Sequence, residues 1–265
     1  MTAEKLSLKP ELLEAIVRIA GTEHLLVALD FDGTLSPLVD RAEDARPLPR
    51  SAAALEALAA LPRTTTALIS GRALDSLRLA ASPPTGTLLV GSHGAEVWLG
   101  EGSQGLELDD QQRSTLASVR EILAEIVAIA PGTLLEDKPA GVVLHTRMAD
   151  DDVAEDAVEA ATRTLKNHPG VYLKTGKRVL ETSVVHASKG EAVEFLRQAI
   201  GATAILFAGD DVTDEDALGR LLGDDVGVKV GLDFTQAEHR VEAPVHMAEL
   251  LETLVRERRK ATSAG

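Results

Sequence analysis

Two aspartates stand two residues apart at the end of an apolar run, in Leu25-Leu26-Val27-Ala28-Leu29-Asp30-Phe31-Asp32-Gly33-Thr34. A strand places residues i and i+2 on the same side, so both carboxylates project together. Charges held that close repel and call for a cation or a shared proton. A second acidic group, Asp210, Asp211, Asp214, Glu215 and Asp216, follows another apolar run at 204–208. Hard oxygen ligands from the two groups suit Mg²⁺, which takes carboxylates, waters and phosphate oxygens. Between them in sequence, Ser70-Gly71-Arg72 closes a further strand pattern, Thr65-Thr66-Ala67-Leu68-Ile69. A hydroxyl and backbone N–H groups at such a junction can cradle an anion. Lys189 opens a helical stretch just ahead of the second acidic group and has the charge to pair with a carboxylate and a phosphoryl group. Acids, a cation site, a hydroxyl and a lysine together describe a site for a divalent cation and an anionic ligand.

Those side chains need elements to hold them at one end of a sheet. The unbroken apolar run at 25–29 reads as a strand buried on both faces, as in a parallel sheet covered by helices. In open α/β sheets ligands bind at the carboxyl ends of the strands, where Asp30 falls. Strands follow at 65–69, 87–90, 204–208 and 226–230, with helical patterns at 8–20, 51–61, 188–200 and 246–256. The segment 36–49 reads as a loop, and the tail from 256 to 265 as frayed, solvated surface. Gly100-Glu101-Gly102-Ser103-Gln104-Gly105 fits the dinucleotide-binding pattern, but no helix opens at these glycines. It is better read as a loop between two hairpin strands, at 97–99 and 106–108.

From about 109 the organisation changes. A long helical pattern at 111–130 precedes strands at 133–138 and 142–147, and a helix at 151–166 precedes strands at 171–175 and 178–182. Helix–strand–strand repeated twice makes an α+β lid with an antiparallel sheet. The expected architecture is α/β: a doubly wound, Rossmann-like parallel core formed by 1–108 and 183–265, with an inserted cap at 109–182. On this reading Glu136 and Lys138 share one strand face, and His145 and Arg147 share a face of the next.

Composition narrows the function. The 265 residues carry a net charge of −15 and only six aromatic side chains. That argues against nucleic acid or an anionic membrane as partner. No cysteine is present, which removes disulfides, thiolate metal sites and cysteine nucleophiles. The first 24 residues hold no signal-peptide core and no apolar run reaches membrane-spanning length, so a cytoplasmic protein, a monomer acting on a small molecule, is expected.

The order Asp30/Asp32, Ser70, Lys189, Asp210/Asp214 resembles the four motifs of the haloacid dehalogenase superfamily, and the insert resembles the cap of its sugar-phosphatase branch. Within that branch the chain is similar to the trehalose-6-phosphate phosphatase family. The supporting stretches are Ser-His-Gly-Ala-Glu at 92–96, Glu-Asp-Lys at 136–138, His145-x-Arg147, and Gly176-Lys177 with Glu181. The resemblance implies Asp30 as nucleophile, Asp32 as acid/base, and Ser70 and Lys189 as holders of the phosphoryl oxygens. It implies Mg²⁺ on Asp30, Asp210 and the Asp32 carbonyl, with Asp214 in support. Arg72, His93, Glu136, Lys138, His145, Arg147, Lys177 and Glu181 become the substrate-side residues. Because one helix fits before residue 25, the synthase domain fused to some relatives is expected to be absent.

Other readings share parts of this pattern. A phosphatase of sucrose phosphate or a glycosyl-phosphoglycerate, or a phosphomutase, would have the same core and a different lid. A phospho-acceptor signalling domain would also combine a strand-end Asp, an acidic pair, a hydroxyl and a lysine. An acid two residues past the acceptor hydrolyses an acyl phosphate that such a switch must preserve, so Asp32 speaks against that reading.

Overall fold

A computed structural model describes residues 8–176 and 178–263. β1 (Leu25–Leu29) is buried along its whole length. It lies between β2 (Thr64–Ile69) and β9 (Ala204–Gly209), parallel to both. The other strands of this sheet are β3 (Leu88–Gly91), β4 (Glu96–Trp98), β10 (Val226–Val230) and β11 (His239–Val241). Their order is β11-β10-β9-β1-β2-β3-β4, with only β4 antiparallel.

Alternate residues of β1 feed two cores. Leu25, Val27 and Leu29 pack with Leu12, Ile16 and Ile19 of α1 (Pro10–Ala20), Leu55 and Leu58 of α2 (Pro49–Ala59), Leu77 of α3 (Leu74–Ala81), and Leu250 and Leu254 of α8 (Pro244–Ser263). Leu26 and Ala28 pack with Val193 and Leu196 of α6 (Lys189–Ile200) and Ala217 of α7 (Val212–Leu218). Helices on both faces make the sheet doubly wound, and the α/β expectation holds. Burying both faces is what forces β1 to be apolar throughout.

The described residues between 105 and 186 form a second compact unit, distinct from those of 8–104 with 187–263. Its antiparallel sheet is ordered β5-β6-β8-β7, from β5 (Leu134–Lys138), β6 (Gly141–His145), β7 (Tyr172–Gly176) and β8 (Val179–Ser183). One face, with Val142, Leu144 and Leu180, packs on Val119 and Leu123 of α4 (Asp110–Ile129) and Ala157 and Ala161 of α5 (Asp151–Leu165). The cross-strand row Glu136–Val143–Glu181–Lys174 belongs to the other face.

Four local readings need correction. Residues 106–108 form no strand; β4 instead closes a hairpin with β3 through the turn at 92–95. Strand β11 is added beside β10, too short to show a period in the sequence. The strand expected at 142–147 ends at His145, so Arg147 lies in the turn that follows. The tail is not frayed over 256–263, where α8 runs to Ser263 and buries Arg258; residues 264 and 265 lie outside the described residues. Arg258 donates to the carbonyls of Ala20 (2.9 Å), Thr22, Glu23 (3.3 Å) and Arg63 (2.6 Å) and to Thr64 Oγ1 (3.1 Å). Its guanidinium thereby satisfies carbonyls at the ends of α1 and of the turn before β2. Among the described residues no helix is long and apolar enough to cross a membrane.

Candidate active site

The register of the parallel strands brings the acids together. Leu29 pairs with Ala208, and the Asp30 N–H donates to the Ala208 carbonyl at 2.9 Å. Asp30 and Asp210 therefore leave neighbouring strand ends side by side. Asp214 enters from the first turn of α7, and one carboxylate oxygen from each of the three lies within 4.8 Å of the others.

Lys189, the first residue of α6, is the cation of this cluster. Its Nζ donates to Asp30 Oδ1 at 2.7 Å and to Asp214 Oδ1 at 2.6 Å, with all three side chains at most 5% exposed. Ser188 caps the helix by accepting from the Glu191 N–H at 3.2 Å, which fixes where Lys189 starts. Asp214 Oδ2 accepts from the Asp211 N–H at 2.9 Å, so Asp214 is a buried brace between helix start and lysine. Asp30 Oδ2 is buried and without a hydrogen-bond partner.

Charge in the cluster does not balance. Burial pushes the Asp30 carboxyl well above the usual range; Lys189 opposes this, and Asp214 and Asp210 add to it. Burial, then Asp214, pushes Asp210 up to about 6. Burial alone would lower Lys189, but Asp214 and Asp30 outweigh it and raise its affinity for the proton. Three carboxylates facing one ammonium leave room for further positive charge. The donor set is entirely hard oxygen, and one oxygen is an orphan; both features fit Mg²⁺.

Gly33 makes the approach of the strand ends possible. Its φ is +80°, and a Cβ there would sit 2.0 Å from Asp210 Oδ2. Thr34 Oγ1 donates to Asp210 Oδ1 at 3.5 Å, a long contact that ties the first motif to the fourth.

The Asp32 carboxylate is held elsewhere. Arg72 donates from Nε and from a terminal nitrogen to its two oxygens, both at 2.6 Å. The guanidinium also donates to the Ala42 carbonyl at 2.9 Å and lies over the Phe31 ring at 5.4 Å. Of the four residues assigned to metal, Asp32 thus has a side chain outside the acid cluster, and only its backbone carbonyl remains as a ligand. Ser70 Oγ accepts from the Arg72 N–H at 3.2 Å, and α3 starts only at Leu74, so Ser70 shapes a turn rather than a helix start. His93, in the left-handed region at φ 57°, donates its N–H to the Ser70 carbonyl and sets its ring against Gly71.

In the second unit four assigned residues share the open sheet face. His145 Nε2 and Glu136 Oε2 are 2.8 Å apart, and Lys138 Nζ lies 3.5 Å from Glu181 Oε2. The hydrogen bond with His145 lowers the Glu136 pKa. Arg147 is exposed in its turn, and Lys177 lies outside the described residues.

Two residues of the first unit were given no role by the sequence reading. Glu96, the last residue of the stretch at 92–96, accepts from Ser92 Oγ at 2.6 Å and from the Leu74 N–H at 3.2 Å, tying the turn at 92–95 to the start of α3. Lys229, in β10, donates to the Asp210 carbonyl at 2.7 Å. A lysine interrupting the apolar run 226–230 was the available signal.

The family model described as trehalose-phosphatase matches residues 28–245, across every motif of this site. The chain belongs to the trehalose-phosphatase family. It is 34% identical over 252 residues to trehalose-phosphate phosphatase of Mycobacterium avium, covering 89% of this chain and 63% of the relative. A probable trehalose-phosphate phosphatase of rice is 30% identical, over 94% of this chain and 72% of that protein. The chain thus spans somewhat less than two thirds of the mycobacterial relative it matches. Its fold is that of the C-terminal domain of Candida albicans trehalose-6-phosphate phosphatase, with a TM-score of 0.77, 24% identity, and coverage of 93% of this chain and 96% of that one.

Proposed function

We propose that this trehalose-phosphatase family member hydrolyses trehalose 6-phosphate to trehalose and phosphate through a phosphorylated Asp30. The observation that carries the proposal is the Asp30 carboxylate, with Oδ1 on Lys189 and Oδ2 buried without a hydrogen-bond partner. A nucleophilic oxygen has to be held in place and yet left with a free lone pair.

Asp30 Oδ2 attacks phosphorus; the Asp30–phosphorus bond forms as the bond from phosphorus to the sugar oxygen breaks. Asp32 gives that oxygen a proton, and the sugar departs. Water then attacks phosphorus while Asp32 takes its proton, and Asp30 leaves as a free carboxylate with release of phosphate. Carrying the proton for the first step weakens the bidentate Arg72 contact, since a protonated carboxyl loses its charge and keeps only part of its acceptor capacity. Lys189 steadies the charge on Asp30 in both steps, and Ser70 and Lys189 offer donors to the phosphoryl oxygens. Asp30, Asp210 and the Asp32 carbonyl would hold Mg²⁺, with Asp214 in support; when bound, it supplies positive charge against the transferring group.

Specificity is assigned to the open face of the second unit's sheet, where Glu136, Lys138, His145 and Glu181 offer donors and acceptors to sugar hydroxyls. A phosphate-release screen with trehalose 6-phosphate, sucrose phosphate, a glycosyl-phosphoglycerate and glucose 6-phosphate tests the proposal, with Mg²⁺ and with chelator. Trehalose 6-phosphate is expected to be cleaved fastest, only with Mg²⁺, and not at all by Asp30→Asn. Faster cleavage of another sugar phosphate would overturn the substrate, and an active Asp30→Asn the nucleophile.

A further inference from the structure

In the strand Val226-Gly227-Val228-Lys229-Val230, Lys229 is 1% exposed. An ammonium buried so completely needs acceptors for its protons. Nζ donates to the Asp210 backbone carbonyl at 2.7 Å and lies 3.4 Å from Glu215 Oε1. Strand register gives it this reach: Lys229 pairs with Gly209, directly beside the peptide leading into Asp210. Glu215 is fixed in turn, since its Oε2 accepts from the Gln236 N–H at 2.8 Å.

We propose that Lys229 is a positioning residue for the metal site. Its grip on the Asp210 carbonyl sets the turn after β9, and so aims the Asp210 carboxylate into the space shared with Asp30. The proposal rests on the reading that Asp30 and Asp210 hold Mg²⁺.

Two effects of the same ammonium oppose each other, so the sign of the change is diagnostic. Its positive charge repels a divalent cation nearby, and by electrostatics alone its removal would tighten Mg²⁺ binding. Its hydrogen bond orients a peptide that bears a ligand, and losing such a partner weakens metal binding by about 10–100-fold. A third role would be to neutralise Glu215, with no bearing on the metal.

Calorimetric titration of the full chain with Mg²⁺, alongside thermal unfolding, separates these roles in wild type, Lys229→Met, Glu215→Gln and the double variant. Lys229→Met is expected to weaken Mg²⁺ binding by about 10–100-fold, and Glu215→Gln to change it by less than about threefold. The double variant is expected to regain the stability lost in Lys229→Met while still binding Mg²⁺ weakly. Unchanged or tighter binding by folded Lys229→Met overturns the proposal, as does full recovery of affinity in the double variant. Should Lys229→Met fail to fold, the double variant, which leaves no buried carboxylate without its cation, carries the same comparison against Glu215→Gln. A wild-type chain that binds no Mg²⁺ defeats the magnesium reading itself, and is told apart by the wild-type titration alone.

Discussion

Replacing Lys189 by Met removes the one ammonium that touches both Asp30 and Asp214 and leaves the acid cluster without its cation. Breaking a buried ion pair in this way costs about 3–5 kcal/mol of stability. The pH dependence of that cost is the sharper signature. A carboxyl whose pKa is higher in the folded than in the unfolded chain binds its proton more tightly when folded, so stability falls as pH rises between the two values. With Asp210 at about 6 in the intact protein, this loss runs through that pH and levels off about one unit above it. Lys189 holds the Asp210 value down, and without it the value climbs. Each pH unit by which the window widens is worth about 1.4 kcal/mol. For a chain of this size that is about 3–6 °C of melting temperature per unit. The assay is thermal unfolding in chelator at about pH 5 and about pH 7.5, reading the variant's deficit against wild type at each pH. The deficit is expected to be larger at the higher pH and to shrink when Mg²⁺ replaces the missing positive charge. An equal deficit at both pH values, or a smaller one at the higher, would refute the electrostatic account of the cluster.

Two further outcomes follow from contacts elsewhere. Glu136→Ala or Lys138→Ala should lower kcat/KM for trehalose 6-phosphate by about 10–100-fold, the worth of a hydrogen bond to a charged group. The same variants should leave p-nitrophenyl phosphate, which has no sugar, within about threefold; equal losses on both substrates would end the assignment of specificity to that face. Arg258→Met strips four carbonyls and Thr64 of a shared donor and should destabilise the chain by about 3–5 kcal/mol with unchanged turnover per folded molecule. A loss below about 1 kcal/mol in denaturant unfolding would show that water replaces the guanidinium there.

What the sequence determined by itself is the part of this protein written in local patterns. A run such as 25–29, short and followed by Asp-x-Asp-Gly, reads as a strand buried on both faces, and such a strand ends at the edge where a parallel sheet binds ligands. The places of Asp30, Ser70, Lys189 and Asp210 at element ends were legible because each follows or begins a strand or helix pattern of five or more residues. The segment 106–108 misled for the same reason: three residues alternating apolar and acidic satisfy a strand pattern without requiring a partner strand.

Only the tertiary structure decided which charges meet. Arg72 reaches across to Asp32 and stacks over Phe31 because β1 and β2 lie side by side, a pairing of residues forty positions apart. Lys189 divides itself between Asp30 and Asp214 from the start of a helix, and Lys229 reaches Asp210 through parallel strand register, neither of which a local window contains. Arg258, which looked like part of a solvated basic tail, collects carbonyls from residues more than 190 positions away. Local propensity acts over a turn or a strand length, whereas the fit of a buried charge depends on which distant groups the fold carries to it. Burial makes that fit decisive, because an ammonium or guanidinium removed from water must find its acceptors within the protein.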